Sequence, residues 1–109
     1  MQELTRLEEI LLLAIWRQKG EAYGVKIRQY VSNALGKNIT YGNLYSALNQ
    51  LVKKKYVSKT LGEPTPERRG RRKIYYTVTP LGSSALKATW ELNAKLWAGV
   101  SKYAFEQKR

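Results

Sequence analysis

The chain has no cysteine and no histidine in its 109 residues. That double absence removes disulfides, thiolate nucleophiles, imidazole general bases and the usual zinc and haem ligands together. Acidic residues are scarce as well, eight against 20 Lys and Arg, and they show no paired arrangement suited to acid–base catalysis. An enzyme is therefore not expected, and neither is a metal or other cofactor. The apolar run "ILLLAIW" (Ile10 to Trp16) falls far short of the roughly 20 residues of a membrane span, and no cationic stretch or cleavage site precedes it. The expected location is cytoplasmic, without a membrane partner.

What is present suits a globular unit. A hydrophobic content of 43% is enough to build a core, so the chain should fold rather than stay disordered. Its length fits one domain, short enough for a partner subunit to complete part of that core. The formal net charge is +12 and it is unevenly spread, because residues 53–80 carry nine basic and two acidic side chains. So focused a field attracts a polyanion: nucleic acid first, an anionic membrane surface second.

Helical spacing of Leu4, Leu7, Leu11, Ala14 and Ile15 predicts a helix over 4–18, with Ile10 and Leu13 widening its apolar face until burial on more than one side is required. A second helix is predicted from about Tyr23 to Leu35, ended by Gly36. Thr40 can cap a third, with Ile39 and Leu44 spaced as a hydrophobic staple. Its inward stripe is Leu44, Ala47 or Leu48, and Leu51. Tyr41, Asn43, Ser46, Asn49, Gln50 and Lys53 are left outward, a face of amides and hydroxyls rather than alternating charges.

Two alternating segments, "YVSKTL" (56–61) and "KIYYTVT" (73–79), predict a hairpin, joined by the long loop "GEPTPERRGRR". Thr79 and Pro80 then start a final helix expected to reach Tyr103 or beyond. On it Leu86, Trp90, Asn93, Trp97 and Val100 alternate steps of four and three, a heptad-like seam with Leu96 beside it.

Three helices, a hairpin and a last helix is the order of a winged helix-turn-helix: mainly α, with the third helix entering the major groove and the hairpin beside it. The outward groups of 40–54 can then meet base edges or phosphates. Gly42 lets the backbone approach a phosphate. Arg68, Arg69, Arg71, Arg72 and Lys73 place the wing's charge along the duplex backbone or in its minor groove. Double-stranded DNA is thus the expected partner.

"LEEILLLAI", "YGVKI", "TYGNLYSALNQLVKKKYV" and "GRRKIYYTVTPLG" together resemble the PadR transcriptional regulators, from about Leu4 to Gly82. The resemblance implies a bacterial winged-helix repressor of the shorter type: residues 1–79 binding DNA, residues 80–109 a single dimerisation helix. It also implies that Tyr41, Gly42, Asn43 and Tyr45 fall in the DNA-reading helix, that Arg71, Arg72 and Lys73 fall in the wing, and that Tyr23 and Gly24 start a helix packed near the DNA backbone. With Thr40, Ser46, Asn49, Lys53, Arg68 and Arg69 these make up the expected DNA surface. Leu86, Trp90, Asn93, Leu96, Trp97 and Val100 make up the expected homodimer seam. Two roles stay open for Trp90 and Trp97: filling that seam, or sandwiching a flat aromatic effector across the dimer axis, as in some regulators that the chain resembles. A basic RNA- or ribosome-associated protein is the alternative function, although it leaves the heptad-like seam unexplained. A wing used for protein contact would not need such charge.

Overall fold

Threonine hydroxyls start three of the four helices among the described residues. In the computed structural model, which describes residues 3–64 and 72–100, Thr5 caps α1 (Arg6–Arg17), Thr40 caps α3 (Tyr41–Lys53) and Thr79 caps α4 (Pro80–Trp97). Each accepts a backbone N–H three residues on, from Glu8, Asn43 and Gly82 at 3.0–3.1 Å, so a donor that the helix cannot satisfy is satisfied. Glu8 returns the bond to the Thr5 N–H at 2.9 Å, closing a capping box that starts α1 at Arg6 rather than at Leu4. The other Glu8 oxygen accepts from Lys54 Nζ at 2.6 Å, tying the start of α1 to the end of α3. Burial pushes the Glu8 carboxyl up, but the bonds from Lys54 and Thr5, with the Lys54 charge, outweigh it and hold the group below the usual glutamate range.

Between α1 and α2 (Gly24–Leu35) lies a feature that periodicity does not predict, a two-residue strand β1 (Ala22–Tyr23). The expected start of the second helix at Tyr23 therefore moves to Gly24, since Tyr23 has extended dihedrals (φ −132°, ψ 169°). The expected hairpin is present as β2 (Val57–Pro64) and β3 (Arg72–Val78), and β1 joins it to give an antiparallel sheet of order β1–β3–β2. Tyr23 pairs with Tyr75 and Ala22 with Tyr76, while Thr60 meets Tyr75 from the other side. Gly36 ends α2 in the left-handed conformation (φ 71°), as expected.

The core is built from Leu11, Leu12 and Ile15 of α1, Ile27 and Val31 of α2, and Leu44, Leu48 and Leu51 of α3, closed by Val57 and Tyr76 of the sheet. Tyr76 points inward as its period-two position predicts. Thr79 locks α4 to this body: its N–H donates to the Tyr56 carbonyl at 3.0 Å and its hydroxyl to the Lys55 carbonyl at 2.6 Å. Gly82, one turn on, is buried so close to the Tyr56 backbone that no side chain fits there.

The last helix is shorter than its seam predicts. It stops at Trp97, because Ala98 is non-helical (ψ 129°) and Gly99 takes the left-handed conformation (φ 78°) that favours glycine. Val100 therefore lies past the helix instead of on it, and the expected continuation to Tyr103 falls outside the described residues.

Candidate nucleic-acid interface

With Leu44, Leu48 and Leu51 turned inward, 3.6 residues per turn puts Gly42, Ser46 and Lys53 at the centre of the outward face of α3, with Asn49 and Gln50 on either side. All are exposed. Asn43 sits on one flank, bordering a hollow of about 640 Å³ shared with Leu7 and Ile10 of α1 and with Ile39 and Thr40. Tyr41 and Tyr45 sit on the other flank, ring centroids 6.2 Å apart and nearly parallel. Gly42 has open space where a side chain would be, so packing does not require a glycine there. The Thr40 hydroxyl is engaged by its cap.

The Tyr45 flank meets the wing. A cleft of about 100 Å³ is lined by Tyr23, Gly24 and Val25 at the start of α2, Tyr45 of α3, and Arg72, Lys73 and Ile74 of β3. Tyr45 lies so close over Gly24 that a Cβ on Gly24 would strike its ring, so the glycine makes room for the tyrosine. Tyr23 holds two cations, with Lys73 Nζ at 4.3 Å and Lys26 Nζ at 5.6 Å from its ring centroid, and Tyr75 packs edge-on against it at 5.9 Å. β1 makes this possible by pairing Tyr23 beside Tyr75. Expected positions from three separate elements, Tyr23, Tyr45, Arg72 and Lys73, thus converge at one place. Arg68, Arg69 and Arg71 lie outside the described residues.

The seam residues belong to another surface. Leu86, Trp90 and Asn93 of α4 line a groove of about 330 Å³ against Leu13 and Trp16 of α1, which supplies the second side that the broad apolar face of α1 requires. Trp90 is 72% and Leu96 65% exposed, and Trp97 is also exposed. Sequence periodicity passes over three residues that the structure brings forward. Trp16 reads as the end of an apolar run, while Lys26 and Arg28 read as ordinary surface cations. Only the packing of α4 on α1, the pairing of β1 and the path of the α2–α3 turn place them.

Four helices, a three-stranded sheet, a polar face on α3 and a cationic wing root beside it define a winged-helix protein of the class that binds DNA to regulate transcription. Residues 11–88 match the transcriptional regulator PadR-like family, and the chain belongs to that family. It is a family of transcriptional regulators, not of enzymes. Among solved structures, a transcriptional regulator from Clostridium thermocellum is 29% identical with a TM-score of 0.63, the alignment covering 88% of this chain and 93% of that one. A PadR-like transcription factor from Bacteroides fragilis is 26% identical with a TM-score of 0.67, covering 87% and 89%. RosR of H. salinarum is 21% identical with a TM-score of 0.72, covering 96% and 87%, a likeness of fold. RosR is archaeal, so the fold alone does not assign the chain to bacteria. No curated protein matches the chain. Among the described residues no helix is long and apolar enough to cross a membrane, and no group of residues could hold a metal ion.

Proposed function

We propose that the protein is a dimeric repressor that recognises a pseudo-palindromic operator, with α3 in the major groove and the wing on the backbone or in the adjacent minor groove. The observation that carries this reading is the convergence of Tyr23, Tyr45, Arg72 and Lys73 beside the outward face of α3. Base edges are read by groups that both donate and accept, which suits Asn49, while phosphates are held by cations, which suits Lys26, Lys53, Arg72 and Lys73. Asn43, on the flank, has the smaller share of base reading. Two reading helices related by a dimer axis call for half-sites about one helical turn apart, roughly 10 base pairs.

Selection of bound duplexes from a random pool tests the reading and is expected to return such a palindrome; unrelated winners would refute it. On the selected operator, Asn49→Ala is expected to lose about 1–3 kcal/mol and to relax base preference, with Asn43→Ala losing less. Arg72→Ala with Lys73→Ala should instead weaken operator and random DNA alike and flatten the salt dependence. Competition binding on the two duplexes separates these outcomes.

The dimerisation role of residues 80–109, with 1–79 as the DNA-binding unit, is supported by the exposed Leu81, Trp90, Leu92 and Leu96 on α4. Large aromatics carry much of the energy of such interfaces. Trp90→Asp is expected to shift sedimentation at micromolar concentration from dimer to monomer. The groove holding Trp16 and Trp90 has the apolar character that a flat aromatic effector would need.

A further inference from the structure

Arg28 stands in the middle of α2, and the structure engages its guanidinium twice. Nε donates to the Ile39 carbonyl at 2.7 Å, across the turn between α2 and α3, while Cζ lies 4.6 Å from the centroid of the Tyr41 ring. One helical turn further along α2, the Ser32 hydroxyl accepts from the Ile39 N–H at 3.2 Å. Both backbone groups of Ile39 are therefore held by side chains of α2. Ile39 leads through the Thr40 cap into Tyr41, the first residue of α3, whose ring stacks on Tyr45. The guanidinium thus connects α2 to the turn and to the aromatic flank of the outward face of α3.

The chemistry is specific to arginine. A planar fork can donate in its plane and lie against a ring at once, whereas an ammonium on a flexible stem is a point charge. Arg28 is half-buried, and no carboxylate lies within ion-pairing distance of it among the described residues. Charge alone would assign it to a phosphate. Its two contacts assign it inward instead.

We propose that Arg28 is a positioning residue for α3: it fixes the α2–α3 turn and the Tyr41–Tyr45 pair, and through them sharpens discrimination between DNA sequences without touching the duplex. The inference rests on the reading role given to α3 above.

Arg28→Lys in the full chain separates the two roles, because it keeps the charge and loses the fork. In the free protein, the ring resonances of Tyr41 and Tyr45 should shift while those of the buried Tyr56 and Tyr76 stay in place. With DNA, operator affinity should fall about tenfold, in the range of coupled contacts, with random-duplex affinity and the salt slope unchanged. A change in stability alone would not alter the ratio of operator to random binding, measured at a temperature where both proteins are folded. Should Arg28→Lys not fold, Ser32→Ala removes the other hold on Ile39 and is expected to act in the same direction, about threefold. Unmoved Tyr41 and Tyr45 rings would overturn the proposal. So would wild-type binding by Arg28→Lys, or equal losses on both duplexes. A wild-type protein with no operator preference would refute the reading role of α3 instead, and the ring shifts would still decide whether Arg28 positions the turn.

Discussion

Operator affinity is expected to fall by about three to five orders of magnitude as salt rises from about 50 to 200 mM, the behaviour of a dimer that neutralises roughly six to ten phosphates. In the proposed dimer, the cations expected to produce this drop are those beside the outward face of α3. Lys26 and Lys73 are gathered over Tyr23, Arg72 stands beside them at the wing root, and Lys53 is at the centre of the outward face of α3. Lys54 is not among them, since its ammonium is committed to Glu8. Phosphates carry no sequence information, so random duplex should weaken with a comparable slope. Fluorescence anisotropy on both duplexes across the salt range measures it. A slope worth only one or two phosphates would show that the wing root stays clear of the backbone.

Gly82→Ala is expected to destabilise the protein by about 2 kcal/mol, the cost of forcing extra volume into a packed site. Helix propensity argues for the opposite sign, since alanine in place of glycine inside a helix usually gains up to about 1 kcal/mol. Steric contact decides between them. A Cβ at Gly82 would collide with the Tyr56 carbonyl, a backbone group that Thr79 already holds by its N–H, and with the Val78 side chain. Neither the start of α4 nor the end of β3 can give way without breaking the bonds at Thr79. Urea denaturation should show the loss as a lower midpoint at unchanged slope, and melting should fall by about 10 °C. A gain in stability would mean that α4 can slide along the body. Gly24→Ala is the instructive contrast, because there the obstacle is the end of the Tyr45 side chain, which can swing aside.

The parts of this fold that were legible in the chain are those whose causes lie close together in it. Thr40 with Ile39 and Leu44, Thr79 with Pro80, Gly36 after Leu35, and the inward stripe of α3 each depend on residues within a turn or two. The capping box of Thr5 and Glu8 is equally local, but apolar Leu4 ahead of it extends the periodicity and hides the start. β1 leaves no such trace: two residues make no pattern, and their pairing partners Tyr75 and Tyr76 lie some fifty residues on. For the same reason Lys26 and Arg28 could not be told from solvated cations. The end of α4 illustrates a different failure, since Gly99 interrupts a heptad-like spacing that continues on both sides of it. At the interface, residue types and the strand that carries them were readable, whereas their distances to the start of α2 were not.

Ala22 and Tyr23 are bonded to the same strand that carries Arg72 and Lys73, so the root of the wing cannot swing away from α2 without breaking main-chain bonds. Its distance from the start of α2 is therefore a property of the polypeptide ladder and not of side chains. In the proposed role, evolution can retune the grip on the sugar–phosphate rail by exchanging cations while this main-chain anchor stays unaltered.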